Sequence, residues 1–206
     1  LPGRAGGDGQ AIAAAYDELA DRWRDDRFPR DNGSAQYRRA LGFLNVAQGA
    51  ALSVGCGCNT RFNALLREKG LSVEGVDLSL RMVQIAREAD PDATIYHADV
   101  CDWAIPKHYA FISAWDSLWH VALAAQKPLL LKLMDALTPG GVLLYTAGGL
   151  DAPAEHWDAY MGPELYYASL GIPAMLALLP EGNCVCRHLE FDQYPERHLV
   201  VIAQKV

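Results

Sequence analysis

From Ala50 onward the chain follows one rhythm: short apolar runs closed by a glycine or an aspartate take turns with segments of helical period. Ala50 to Val54 reads as a buried strand that stops at Gly55. Asn59 or Thr60 is placed to cap a helix carrying Phe62, Leu65 and Leu66, which Gly70 ends. Leu71 to Val76 reads as a second strand running into Asp77. Ser79 then caps a helix whose Met82, Val83 and Ala86 face inward, with Pro91 just beyond it. Ala93 to Tyr96, leading to Asp99, and Tyr109 to Ala114 are the third and fourth strands. The period of Leu130, Leu133, Met134 and Leu137 predicts a helix from about Ala124 to Leu137, and Thr138-Pro139-Gly140-Gly141 turns it into a fifth strand, Val142 to Thr146. Strands alternating with helices build βαβ units, hence a parallel sheet with both faces covered.

The two ends depart from this rhythm. Leu1 to Gly9 reads as a flexible tail, Gln10 to about Arg24 as a helix with Tyr16, Leu19, Ala20 and Trp23 on one face, and Phe28 to Gly33 as a loop. A second helix is expected from Ser34 to Gln48, with Tyr37, Leu41, Leu44 and Ala47 aligned. Residues 150–171 read as a long irregular insert rich in Tyr, Trp, Pro and Gly, followed by a short helix at Pro173 to Leu179. Cys184 to Asp192 and His198 to Ala203 have only Gln193-Tyr194-Pro195-Glu196 between them and should pair antiparallel. The expected organisation of the 206 residues is one α/β domain, in which the helices of 10–48 cover the site and 50–206 form a Rossmann-like core carrying the 150–171 insert. A domain of this length buries about 70% of its unfolded surface, so it needs no metal or disulfide to hold together.

With 51% apolar and 21% charged residues, and no run near the roughly 18 apolar residues of a membrane span, the chain reads as a cytoplasmic globule. Its five cysteines, Cys56, Cys58, Cys101, Cys184 and Cys186, are odd in number and fit reduced thiols. A net charge of −7 without a basic cluster disfavours nucleic acid, whose affinity rests on neutralised phosphates, and makes a small molecule the expected substrate.

The chemistry concentrates in Val54-Gly55-Cys56-Gly57-Cys58-Asn59, between a strand and a helix. Glycines there let backbone approach a ligand, and the helix start offers free N–H groups. Asp77, closing the second strand, stands where a carboxylate accepts hydrogen bonds from ribose hydroxyls, and Asp99, closing the third, is within reach of an adenine amino group. The bland reading of the same residues is a tight turn with two helix-capping acids. A dinucleotide fingerprint would need glycine at Thr60, and the shorter G-x-G-x-G form would need it at Asn59, the residue type that best tolerates the left-handed region in its place.

These segments together resemble the class I S-adenosylmethionine-dependent methyltransferases of small-molecule type. Leu52-Ser53-Val54-Gly55-Cys56-Gly57 is similar to their first motif. Glu74-Gly75-Val76-Asp77-Leu78-Ser79, followed by Met82, is similar to the second, and His97-Ala98-Asp99-Val100 to the third. Leu137-Thr138-Pro139-Gly140-Gly141 resembles the turn before the fifth strand of that fold. The resemblance implies a seven-stranded, mostly parallel, doubly wound sheet with an antiparallel C-terminal strand, and S-adenosylmethionine as cofactor. It implies that Gly55, Cys56 and Gly57 line the methionine part, Asp77 holds the ribose, Leu78 and Met82 flank the adenine, Asp99 and Val100 receive it, and Ala114 and Trp115 pass near the sulfonium. Ser53 stands where the family usually carries an acid, and Asn59 replaces the third glycine.

Methyl transfer is an in-line displacement for which a protein mainly supplies alignment, worth roughly 7–11 kcal/mol in good cases. Trp115-Asp116-Ser117-Leu118-Trp119-His120 follows the fourth strand, where the fold opens onto the acceptor. His120 is the candidate general base or substrate donor; the alternative is a histidine bonded to backbone. Trp119, together with Tyr16 and Tyr166, is a candidate acceptor contact, and packing is the alternative for each. Tyr16 belongs to a Tyr-x-x-x-Ala pattern like that of small-molecule members. The insert, with His156, Trp157, Tyr160, Tyr166 and Tyr167, reads as a lid or a homodimer surface. Cys184-x-Cys186-x-His188 lacks a second pair at zinc spacing, so no metal is expected. A nicotinamide-dependent oxidoreductase and a non-catalytic cofactor-binding protein are the competing readings.

Overall fold

In the computed structural model the described residues are 7–24, 31–46 and 48–206; the expected tail at 1–6, the loop at 28–30 and Ala47 lie outside them. Nine strands are described: β1 (Gly49–Val54), β2 (Leu71–Asp77), β3 (Thr94–His97), β4 (Tyr109–Ala114), β5 (Leu137–Gly148), β6 (Ala154–Asp158), β7 (Leu165–Ser169), β8 (Cys184–Phe191) and β9 (His198–Lys205). The helices are α1 (Gly9–Arg24), α2 (Ser34–Gly42), α3 (Asn63–Glu68), α4 (Leu80–Ala89), α5 (Leu123–Asp135) and α6 (Ile172–Glu181), with a single turn at Leu118–His120.

Seven strands form one sheet in the order β3-β2-β1-β4-β5-β9-β8. β1 through β5 are mutually parallel, and β9 inserts antiparallel between β5 and β8. The expected fold class is the one observed. Chain order reverses between β1 and β4, and a crevice opens outside the strand ends at such a switch point.

Side-chain alternation explains the layers. Leu52 and Val54 of β1, Ile112 of β4 and Leu143 and Tyr145 of β5 turn to the face covered by α5 and α6, where Leu129, Leu133, Met134, Leu178 and Leu179 are buried. Ala51, Phe111, Val142 and Leu144 turn to the other face, against Tyr37 and Leu41 of α2, Leu65 and Leu66 of α3 and Val83 and Ala86 of α4. α1 belongs to neither layer. It lies across the strand ends, with Ile12, Ala15 and Leu19 on β7 and Ala20 near Met82 and Ile85 of α4.

Three boundaries and the insert differ from the sequence expectation. α2 ends at Gly42 rather than Gln48, because a glycine is a poor helix residue and the last turn tightens, Phe43 N–H donating to Ala40 O at 3.1 Å. α3 begins only at Asn63, and neither Asn59 nor Thr60 caps it. Asn59 Oδ1 instead accepts from Arg61 N at 2.8 Å in a local turn. α5 ends at Asp135, and Leu137, paired with Tyr109, already belongs to β5. The insert is not irregular: β6 and β7 pair antiparallel, Trp157 opposite Tyr166 and His156 opposite Tyr167. Aromatic residues favour such cross-strand pairs, a signal the neighbouring Pro and Gly residues obscured.

Candidate functional site

A cavity of about 520 Å³ opens at the switch point, within the range of about 300–1,000 Å³ usual for small-molecule sites. Its floor is the turn after β1. Gly55 and Gly57 adopt φ of 61° and 57°, and Cys56 N–H donates to Val76 O at 3.1 Å, tying the turn to β2. Asp77 completes the link: Oδ2 accepts from Gly57 N at 2.8 Å and Oδ1 from Ser79 N at 2.9 Å. One carboxylate thereby fixes both the glycine turn and the start of α4, while each oxygen keeps lone-pair capacity toward the cavity. Burial pushes the Asp77 carboxyl above the ordinary range, and the N–H groups of Ser79, Gly57 and Leu78 pull it back.

The other expected cofactor residues divide. Leu78, Met82, Asp99 and Val100 line the same cavity as Gly55, Cys56 and Gly57. Asp99 Oδ1 accepts from Cys101 N at 2.8 Å, and Gly9 at the start of α1 lies so close that a Cβ there would come within 3.1 Å of Asp99 Oδ2. Cys56 lies half-buried in the turn. Its sulfur packs against Gly75, and burial raises its thiol well above the usual value. Cys58 is likewise buried, its thiol pushed up to about 11. Ala114 is fully buried and does not line the cavity, whereas Trp115 does, wedged against Tyr37 and Phe62 at centroid distances of 5.9 Å. Ser53 Oγ, at the position of the family acid, meets Ser113 Oγ at 3.2 Å.

On the far side His120, Trp119 and Tyr16 do come together. His120 Nδ1 is 2.8 Å from Tyr166 O, and a carbonyl can only accept, so the proton sits on Nδ1. Nε2 is then the acceptor, taking the Tyr16 hydroxyl at 2.7 Å and the Trp119 Nε1–H at 3.1 Å. Burial lowers the imidazole to about 4, so it is neutral at physiological pH. His120 is thus bonded to backbone, the blander of its two expected roles, and its remaining nitrogen faces the cavity through Tyr16. Tyr166 is a correction. It does not line the cavity; its hydroxyl accepts from Leu123 N at 3.1 Å and bonds Glu155, and its neighbour Tyr167 provides the wall.

Sequence reasoning passed over two groups. Asp116 lines the cavity, and its Oδ1 is 2.9 Å from Nε2 of His198, whose Nδ1 is bonded to Asp192. Arg61 also lines it, donating Nε–H to Asn32 O at 3.2 Å with its guanidinium over the Phe62 ring. Asp116 stands in the segment that follows β4, but nothing local links it to His198. The Cys184-x-Cys186-x-His188 stretch does not converge: Cys184 is buried, Cys186 is exposed, and His188 bonds Arg39 at 3.0 Å. Among the described residues no three His, Cys, Asp or Glu side chains are grouped to hold a metal.

Comparison with known proteins agrees with this geometry. Residues 51–141 match the family described as a methyltransferase domain. Over 159 residues the chain is 32% identical to malonyl-[acyl-carrier protein] O-methyltransferase of Salmonella typhimurium, covering 73% of this chain and 59% of that protein. It is 32% identical over 95 residues to a dTDP-3-amino-3,6-dideoxy-alpha-D-glucopyranose N,N-dimethyltransferase of Streptomyces fradiae, covering 45% and 37%. The chain therefore spans between about a third and three fifths of the length of these relatives. Among solved structures, magnesium protoporphyrin IX methyltransferase from Synechocystis PCC 6803 with bound SAH superposes with a TM-score of 0.74 at 14% identity, covering 97% of this chain and 100% of that one. Residues 51–141 thus match the methyltransferase-domain family, and the order and direction of the seven strands are those of the class I S-adenosylmethionine-dependent methyltransferase fold.

Proposed function

We propose that the chain is a single-domain enzyme that transfers the methyl group of S-adenosylmethionine to a small-molecule acceptor. The observation that carries this is the Asp77 carboxylate, bonded at once to Gly57 and Ser79 and bordering the cavity that Asp99 also lines. The donors fit the cofactor. Gly57 has open space where a Cβ would stand, so backbone and ligand can approach there. The backbone of Gly55 to Gly57 would hold the methionine part, and Asp77 the two ribose hydroxyls. Leu78, Met82 and Val100 would sandwich the adenine, with Asp99 taking its amino group. When bound, the cofactor supplies an activated methyl group.

The chain's own residues align and desolvate. α1 covers the strand ends, and the Tyr16–His120–Trp119 cluster and Tyr167 wall the acceptor half. The amino sugar in the name of the Streptomyces fradiae relative supports a small acceptor, while the name of the Salmonella typhimurium relative gives a malonyl group on an acyl-carrier protein. We read the β6–β7 insert as a cover for the cavity, since Met161 and Tyr167 line it. No described helix is long and apolar enough to cross a membrane.

Calorimetric titration tests the reading. S-adenosylmethionine and S-adenosylhomocysteine should bind with micromolar affinity and NADH should not, and Asp77→Ala should abolish binding. A heat signal from NADH alone would refute it. Formation of S-adenosylhomocysteine in metabolite extracts should then separate an enzyme from a binder.

A further inference from the structure

Asp116 sits in a strained backbone conformation, at φ 53°, two residues beyond the end of β4. A non-glycine residue persists there only when its surroundings over-determine it, and such positions gather at functional sites. Two groups hold it. Its N–H donates to Thr146 Oγ1 at 2.8 Å at the end of β5, and its Oδ1 meets His198 Nε2 at 2.9 Å at the start of β9. Behind His198, Asp192 bonds Nδ1. Side-chain exposure falls along this line from 39% at Asp116 to 10% at His198 and 4% at Asp192. The line runs from the cavity into the protein, with a carboxylate at its open end. The rings of Trp115 and Trp119 pack against the His198 ring, at centroid distances of 5.7 and 5.6 Å.

We propose that Asp116 is the acceptor-binding carboxylate of this cavity, positioned by His198 and Asp192, and that the acceptor is a primary or secondary amine. This rests on the methyl-transfer reading above. Two carboxylates on one imidazole leave these three groups net negative whether or not the ring is protonated, and their cavity-facing end is Asp116. A carboxylate acceptor placed there would meet like charge; an N–H group or an ammonium meets a hydrogen-bond acceptor. Among the described residues the cation that lines the cavity is Arg61; it feels the Asp116 charge, but its hydrogen bond goes to Asn32 O and its guanidinium lies over the Phe62 ring.

A carboxylate at this place also suits the reaction. The neutral amine donates N–H to Asp116 and its lone pair forms the new C–N bond. The C–S bond breaks with its electron pair left on sulfur, and the positive charge passes to nitrogen, beside the carboxylate. The extra N–H proton is then released to water. A preorganised charge facing the atom where charge develops is the arrangement that stabilises such a transition state. His198 and Asp192 are positioning residues: they fix the rotamer of Asp116 and touch no substrate.

The test uses benzylamine and phenylacetate, probes of similar size and opposite charge, titrated by ligand-observed NMR with and without S-adenosylhomocysteine. The protein should bind benzylamine and not phenylacetate. Asp116→Asn should weaken benzylamine about ten-fold or more while S-adenosylhomocysteine affinity stays within about two-fold. His198→Ala should match that loss, and His198→Gln, which can still donate one N–H to Asp116, should recover part of it. A preference for phenylacetate, no benzylamine binding, or Asp116→Asn binding benzylamine like the parent would overturn the proposal. So would about ten-fold weaker S-adenosylhomocysteine with benzylamine unchanged, which would move Asp116 to the methionine end of the cofactor. Failure of the parent to bind S-adenosylhomocysteine would instead sink the methyl-transfer reading, and the titrations without it would still decide whether the cavity takes amines.

Discussion

The hydroxyl of Tyr16 donates to Nε2 of His120 across 2.7 Å, joining the covering helix α1 to the turn that follows β4. The bond is possible because the other ring nitrogen is committed to Tyr166 O, which leaves a lone pair on Nε2. A protonated His120 would put two N–H donors where only one acceptor stands, and would set its new proton against the Tyr16 and Trp119 donors.

This gives a pH signature. Burial holds His120 near 4 in the folded protein, while the unfolded chain titrates near 6.5. Between those values the unfolded state binds the extra proton, so stability is present above about 6.5 and lost as pH falls toward 4. From pH 7 to pH 5 the loss from this group is about 2 kcal/mol. Urea unfolding at the two pH values should show a pH-dependent loss smaller by that amount in His120→Gln. Equal losses in parent and variant would mean that His120 is not held neutral.

His198 should behave in the opposite way. Burial alone would lower it, but the hydrogen bonds and charges of Asp116 and Asp192 outweigh burial and raise it above the ordinary value. A raised histidine adds stability below its unfolded value, which is lost as pH climbs through the folded one. An NMR titration of the ring should find it protonated above pH 6.5, and Asp192→Asn should bring the midpoint down. A midpoint unmoved by Asp192→Asn would disconnect that pair.

The two glycines of the first turn should differ in cost. Gly57 has φ 57° and open space where a Cβ would stand, so Gly57→Ala carries backbone strain alone, about 1–2 kcal/mol. At Gly55, φ 61°, a Cβ would lie 2.4 Å from Ser117 Cβ, so strain and collision add. Thermal unfolding should rank Gly55→Ala well below Gly57→Ala. Ser117→Gly should relieve part of the Gly55→Ala cost in a double-mutant cycle, and strict additivity would count against the contact.

Gln126 is buried in α5 and its amide reaches three carbonyls: Leu118 at 3.2 Å, Val121 at 3.2 Å and Ala168 at 2.9 Å. It ties the turn bearing His120 and the strand β7 to the core. Gln126→Leu should cost about 1–3 kcal/mol by removing the amide donor from these carbonyls, of which Leu118 O keeps only the Val121 N–H. It should also disturb the His120–Tyr16 contact, readable as a shift of the His120 ring resonances. Unchanged stability would show that other donors serve these carbonyls.

The sheet was legible because its signals are local. β1, β2 and β4 are rich in apolar residues, and β1 stops at Gly55 and β2 at Asp77; burial on both faces demands that composition. The cofactor half of the site was legible for the same reason: Gly55, Gly57, Asp77 and Asp99 sit at strand ends, so finding the strands finds the residues. Helix ends were read less well. Gly42 and Asn59 act through turn geometry that competes with helix and loop on nearly equal terms.

The alternation of elements and the register of glycines and acids at their tips are set by neighbours a few positions apart, and so they are written locally in the chain. The acceptor half is set by packing between distant segments. Tyr16 reaches His120 over 104 positions and Asp116 reaches His198 over 82, and no local preference encodes either contact. Tyr166 and Tyr167, adjacent in sequence, take opposite parts because successive side chains on β7 point to opposite faces, and only the packing of that strand decides which face meets the cavity.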